Sequence, residues 1–413
     1  MMKDFLKASV AITALLASAG IASAECGIEK GSVRILSNDF AALHAIATAA
    51  ETCASDTVTV TKNQTTEHKN IQVPALTTNP ASYTVAVIAT NSVVPLLTGD
   101  LVRPLDDYVA KWGQDLQESQ LIRVDGKVMA IAFMANGQHL FYREDILADN
   151  GIAVPTSYEE VLAAAKTLRD KGVMQNPLAS GYKPGWDLAA EFVNTYLGTG
   201  GEFFKEGSAE ADINNENGLT ALATMKEMST FMSPDWVTYN SNLMRPIWEA
   251  GDIAMQIGWG SVAGSYIAED SPSPEIAKAT KFAAAPTIGG GTIPSAALWW
   301  DGFVISKNIS DEDAEASFRA MMVGISPATA AANADAAVWL VKGYEATPAA
   351  VGVVADMQAG ARPYPMVPYM GLLHTALGDN LAEFMQGQES AEQALADVTA
   401  AYNTAAKEAG FLD

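Results

Sequence analysis

The sequence predicts an α/β protein of two lobes, each a sheet flanked by helices. Three observations carry this. Short apolar runs alternate with helical stretches, as in the run at 83–89 (YTVAVIA) that follows a helical segment at 67–76. These runs are continuously apolar rather than alternating, the pattern of strands covered on both faces. A chain of 413 residues also exceeds what one hydrophobic core ordinarily organises.

Residues 1–24 read as a secretory signal. Lys3 and Lys7 flank an apolar run through Ile21, and Ala22-Ser23-Ala24 supplies the small-residue cleavage pattern. The run is shorter than the roughly 20 residues a spanning helix needs. Glu25 stands directly before Cys26, where a lipid-anchoring signal wants a small residue. Cleavage after Ala24 and a free periplasmic protein are therefore expected. The net charge of −23 argues against nucleic acid or an anionic membrane as partner, since either needs a basic face.

Cys26 and Cys53 are the only cysteines, and in an oxidising compartment they are expected to pair. Cys26 precedes a predicted strand at 32–37 and Cys53 follows a predicted helix at 40–50. A helix returning along its strand brings its end back to the strand's beginning. A strand at 57–61, a helix at 67–76 and the strand at 83–89 continue the βα rhythm. Asn38-Asp39 and Thr90-Asn91 lie just after strand carboxyl ends, the edge where open α/β sheets bind ligands. Helix capping is the competing role for Asn38 and Asp39.

The middle of the chain is the most legible. Asp125-Gly126-Lys127 is a turn, 128–134 an apolar strand, and Asn136-Gly137 ends that run. A second strand at 140–142 leads to a helix at 144–150 stopped by Gly151. Thr156 and Ser157 each have a glutamate three residues on, the start signature of the helix that ends at Lys171-Gly172. Beyond it, GYKPGW (181–186) is a loop with two aromatics, and Asp187 opens an amphipathic helix. Further helices are predicted at 215–231 and 242–250, and a strand at 253–257. Trp259 follows that strand between Gly258 and Gly260. A strand at 282–286 runs into Gly289–Gly291, which lacks phosphate-loop spacing and reads as a hinge or turn. Trp299-Trp300-Asp301 precedes a strand at 302–306, with one indole expected in the core and the other in the cleft. A helix at 310–324 is capped by Ser310 or Asp311. Arg362-Pro363-Tyr364 opens a proline-rich crossing, and helices at 371–385 and 390–409 finish the chain.

The 125–172 stretch, with GKVMAIAF, LFYREDIL and TSYEEVLAAAKTLRDKG in that order, resembles the extracellular solute-binding proteins of ABC importers. The branch in question includes the maltose-binding and other sugar-binding proteins. AGDIAMQIGWG (250–260), FAAAPTIGGG through WWDGFVISK (282–307) and 364–400 resemble later family segments in the expected order. The resemblance reaches across most of the chain after residue 80. It implies a two-lobe periplasmic-binding-protein fold, type II-like, with an interlobe ligand cleft. On that basis lobe one should comprise 25–132 with 290–335, and lobe two 137–285 with 340–413. The crossings would lie near 133–137, 286–289 and 336–342. It also implies a monomer that hands a small solute, a sugar, to ABC permease subunits and carries no cofactor and no metal.

Enzyme chemistry finds little support. The four histidines, His44, His68, His139 and His374, have no metal spacing, and no serine has the G-x-S-x-G elbow. A carboxylate pair such as Glu67 with Asp301 is the remaining route to a glycoside hydrolase. For a bound sugar, Trp186, Trp259 and Trp300 are candidate platforms, the first two at family positions where aromatics meet sugar. Asn38, Asp39, Asn91, Asn136, Asp301 and Arg362 are candidate polar partners, and Tyr182 and Tyr364 could serve either way. A polyamine is an alternative ligand, because tryptophans and carboxylates also hold organic cations. Arg362 and Lys183 leave room for an acidic sugar derivative.

Overall fold

The computed structural model describes residues 26–241 and 243–413. The signal segment lies outside the described residues. Among the described residues there are twelve strands, in chain order β1 (Gly31–Ser37), β2 (Val58–Gln64), β3 (Val85–Ala89), β4 (Leu121–Val124), β5 (Lys127–Asn136), β6 (Gln138–Arg143), β7 (Leu178–Ala179), β8 (Met255–Trp259), β9 (Thr280–Ala283), β10 (Ala297–Ile305), β11 (Val338–Trp339) and β12 (Arg362–Pro363).

They form two sheets. The larger runs β11-β5-β10-β3-β1-β2, with β4 paired to β5 and β12 to β10. Strand β1 pairs in parallel with β2 and β3, while β10 runs antiparallel to β3 and β5. The smaller runs β7-β8-β6-β9. Continuous apolarity in β3 has the cause read from sequence: Val85, Val87 and Ala86, Ile88 face two different cores.

Helices Ala41–Glu51 and Asp311–Gly324 pack against each other over β1. Their approach depends on Gly324, where a Cβ would lie 2.9 Å from the Ile46 carbonyl oxygen. Cys26 and Cys53 are disulfide-bonded, with Cα atoms 5.6 Å apart, and so tie the entry to β1 to the end of the first helix. Under the smaller sheet, helices Trp186–Gly198, Glu216–Ser229, Met370–Asn380 and Ala391–Glu408 form the other large core around Phe192, Leu222, Leu373 and Tyr402.

Local signals act as their chemistry requires. Ser157 Oγ accepts from Glu160 N–H (3.2 Å), while Thr156 donates back to the Glu160 carboxylate. Ser310, not Asp311, caps its helix, accepting from Asp313 N–H. Gly289 and Gly290 take φ of +62° and +73°, so the glycine run is a left-handed turn before β10. The strand expected at 302–306 begins earlier, at Ala297, and contains both tryptophans.

The sheets meet at a narrow waist. Strand β5 leads into β6 through Gly137 alone. The return is made within β10: Ala297 and Trp299 belong to the core beneath the smaller sheet, Phe303 and Ile305 to that of the larger. After β11 the chain comes back to helix Val351–Gln358, which packs on β6 and β9. Asp356 on that helix accepts from Ala285 N–H (2.7 Å), and a Cβ on Gly137 would lie 3.9 Å from Asp356 Oδ2. One buried carboxyl thus stands where the chain passages converge.

Candidate functional site: an indole cluster at the seam of the two sheets

Three indoles meet at this seam. Trp186 is the first residue of its helix, Trp259 the last of β8, and Trp299 lies in β10. Ring centroids are 5.9 Å apart for Trp186–Trp259, 6.0 Å for Trp186–Trp299 and 5.9 Å for Trp259–Trp299. Tyr364 stacks on Trp299 at 4.1 Å. Trp186 remains 36 % exposed, whereas Trp299 is buried. The cluster therefore offers an aromatic surface backed by core.

Each ring is placed by its neighbours. Gly185, at φ +100°, donates from N–H to the Gly378 carbonyl (3.0 Å), and a Cβ on Gly378 would strike the Gly185 backbone at 2.5 Å. That close approach sets Trp186 beside His374. The glycines around Trp259 have packing reasons: a Cβ on Gly258 would meet the Phe141 ring at 3.0 Å, and one on Gly260 would meet Val353 at 2.2 Å. Asn136 Oδ1 accepts from both Gly137 N–H and Ser261 N–H (3.0 Å each), joining the waist to the segment after Trp259.

Polar groups border the cluster. Lys69, on the helix His68–Thr77 of the larger-sheet lobe, places its Nζ 4.6 Å from the Trp186 ring centroid. Asp301 sits in β10 at a register shift between Asp301 and Gly302, where a Cβ on Gly302 would strike the Ile131 carbonyl oxygen at 2.5 Å. Such a bulge re-aims side chains. Burial pushes the Asp301 carboxyl up to about 7, and Lys69 opposes the shift. Burial lowers the Lys69 ammonium, while Asp301 and Asp187 raise it. Asp187 Oδ1 accepts from Ser241 Oγ (2.7 Å) and Ser241 N–H (3.1 Å).

The remaining sequence candidates fall elsewhere or hold other elements. Trp300 packs half-buried on the larger-sheet cluster of Leu76, Ile88 and Val304, so the indole that joins Trp186 and Trp259 is Trp299. The two alternate across the pleat, Trp299 buried beneath the smaller sheet and Trp300 half-buried on the larger. Arg362 donates to the Gly201 carbonyl and pairs with Glu202, away from the indoles. Tyr182, 3 % exposed, packs edge-on to Trp236 in the core. Tyr364 is 1 % exposed and hydrogen-bonded to His374 Nδ1. Asn38 Oδ1 accepts from Asp39 N–H, and exposed Asp39 pairs with His44; neither is the N-cap, which is Phe40. Asn91 lies just past β3, its Oδ1 buried with no hydrogen-bond partner among the described residues.

Four residues of this cluster are not among the sequence-predicted site residues: Lys69, Asp187, Trp299 and His374. Asp187 and Trp299 are chain neighbours of the candidates Trp186 and Trp300. His374 and Lys69 carried no local signal. Among the described residues, no group of three or more His, Cys, Asp or Glu could hold a metal ion.

Comparison with known proteins agrees with this architecture. Residues 37–362 match the family model for bacterial extracellular solute-binding proteins. A probable ABC transporter-binding protein of Deinococcus radiodurans is 28 % identical over 181 residues. That alignment spans 42 % of this chain and 42 % of the curated relative's length. Among solved structures, maltose-bound MalE3 of T. maritima superposes with a TM-score of 0.77 at 17 % identity, over 90 % of this chain and 99 % of that one. A solute-binding protein of Agrobacterium vitis with bound D-mannitol gives 0.75 at 18 % identity, over 93 % and 100 %. The GacH receptor of Streptomyces glaucescens, studied with acarbose, gives 0.75 at 18 % identity, over 91 % and 98 %. At these identities the structural likeness is one of fold.

Proposed function

Because the chain belongs to the bacterial extracellular solute-binding proteins, which serve ABC transporters, we propose that it captures a small neutral carbohydrate or polyol between its two lobes. One observation carries the ligand class: three indoles from separate segments converge at the seam with Lys69 and Asp301 beside them. A sugar ring presents a C–H face that packs on indole, and a rim of hydroxyls that need partners when buried. Maltose, acarbose and D-mannitol are the ligands of the similarly folded proteins, which supports the same class.

In this reading Trp186, Trp259 and Trp299 form the platform, and Asp301, Asn91 and Lys69 serve the hydroxyls. The protein binds without transforming its ligand, works as a periplasmic monomer after signal cleavage, and delivers the ligand to a membrane permease. Lobe one takes in 26–132 with the end of β10 through 335, and lobe two 137–299 with 340–413, hinged at the waist; the second crossing falls within β10 rather than near 286–289, because Ala297 and Trp299 pack beneath the smaller sheet. A thermal-shift screen over sugars and polyols identifies the ligand by the melting temperature it raises. Calorimetry of Trp259→Ala and Asp301→Asn then tests the site. Each should fold and lose more than about 1 kcal/mol of affinity. Two well-folded variants with unchanged affinity would place the site elsewhere.

A further inference from the structure

Lys69 belongs to the lobe of the larger sheet, yet its ammonium lies 4.6 Å from the centre of the Trp186 ring, which belongs to the other lobe. An ammonium over an indole is held by the ring's quadrupole, and more strongly when partly withdrawn from water. Carboxylates complete the surroundings: Asp301 on β10 and Asp187, next in sequence to Trp186 and fixed by Ser241. Their influence reaches the ammonium, whose affinity for a proton both of them raise. An aromatic face with carboxylates near it is the set of groups that recognises an organic cation. Here the cation is already present and covalently tethered.

We infer that Lys69 acts as a built-in occupant of the cleft, one that excludes organic cations and leaves the cleft selective for neutral, hydroxyl-rich ligands. A free ammonium entering would have to displace Nζ from Trp186, and the cleft would then hold two cations against the same carboxylates. A neutral polyol imposes no such conflict. Its C–H face replaces the ammonium on the ring, and the displaced Nζ, which has three N–H donors, donates to a hydroxyl while Asp301 accepts from another. Lys69 is therefore a specificity-determining residue, and it selects by charge rather than by shape. The inference rests on the reading above that the seam is the ligand site.

The test is calorimetry with putrescine on the wild-type chain, Lys69→Met and Lys69→Arg. Methionine keeps the apolar stem without the charge, whereas arginine keeps the charge. Lys69→Met should bind putrescine at least tenfold more tightly than the wild type. Lys69→Arg should stay as unresponsive as the wild type. Should the methionine variant not fold, Lys69→Gln makes the same comparison, because any neutral side chain removes the ammonium. A folded neutral variant with no gain for putrescine overturns the inference, as does a wild-type chain that binds putrescine as tightly as the variant. The two readings fail differently. If Trp259→Ala and Asp301→Asn weaken polyol binding while the neutral Lys69 variants gain nothing for putrescine, only the role of Lys69 falls. If the wild type binds no sugar or polyol but Lys69→Met gains putrescine, the carbohydrate reading falls and the occupant remains.

Discussion

His374 donates from Nε2 to the carbonyl of Trp186 (3.1 Å), and its Nδ1 accepts from the Tyr364 hydroxyl (3.1 Å). The carbonyl can only accept, so Nε2 carries a proton, and Nδ1 is the acceptor in the neutral ring. Burial agrees, lowering the imidazole to about 4. One buried histidine thereby fixes the backbone of one indole and the hydroxyl of the tyrosine stacked on another.

Replacing His374 by Leu leaves the Trp186 carbonyl and the Tyr364 hydroxyl without this partner. The expected loss of stability is about 1–3 kcal/mol, read from chemical denaturation. Ligand affinity should fall as well, because Trp186 loses the contact that orients it. Unchanged affinity in a destabilised variant would show that Trp186 is held by its ring packing alone.

A second prediction concerns pH. Glu191 is buried on the helix that begins with Trp186; Gln138 donates to its Oε1 (2.9 Å), and Asn194 links Gln138 to the start of β10. Burial pushes this carboxyl up to about 8. The folded state therefore keeps a proton that the unfolded chain releases at ordinary glutamate pH. Its contribution is full below the unfolded value and is lost as pH rises through about 8. Asp356, also pushed up to about 8 by burial, acts in the same direction. The buried His68, His139 and His374, lowered to about 4, push the other way until pH passes the ordinary histidine value of 6.5, so melting temperature should fall from there towards pH 8, and Glu191→Gln, which keeps the acceptor without the titration, should flatten that fall. An equal slope in the variant would remove Glu191 from the account.

Reduction of the Cys26–Cys53 bond opens a loop with a sequence separation of 27. The chain-entropy account puts the loss at about 3–4 kcal/mol. Because the bond lies at the base of the larger-sheet lobe, away from the indoles, calorimetric ligand preference should not change. A change in preference on reduction would mean that this end of the lobe communicates with the seam.

Gly378→Ala tests the close approach behind Trp186. Its methyl would sit 2.5 Å from the Gly185 carbonyl oxygen, which must then move. A loss of about 1–3 kcal/mol in denaturation is expected, together with weaker ligand binding. A variant as stable and as avid as the wild type would show that helix Met370–Asn380 can give way at no cost.

Much of the fold could be read from the chain because its signals are local. The Ser157 cap, the 83–89 run and the Asn136-Gly137 stop each act within a few residues. The cluster at the seam is different. Trp186 and Trp259 stood out through flanking glycines and family positions, although the glycines around Trp259 answer to Phe141 and Val353. For Trp299 and Trp300, the period of two says only that the rings diverge. Both faces of β10 are covered, so neither could be assigned from the pattern. Lys69 was illegible for a deeper reason. It looks like any surface lysine opening a helix, and what distinguishes it is a ring 117 positions further along the chain. Arg362 misleads in the converse way, since its partner Glu202 lies 160 positions away in sequence.

Three indoles with centroids about 6 Å apart have a spectroscopic consequence. At that spacing their transition dipoles couple, and in a fixed chiral arrangement the intense far-ultraviolet transitions of coupled indoles give an exciton couplet in circular dichroism. The chain holds eight tryptophans, but most of the coupling should come from these three. Any solute that settles on the Trp186 face, or draws Lys69 off it, perturbs the exciton directly. The molecule thus carries its own optical gauge of occupancy, legible without a label.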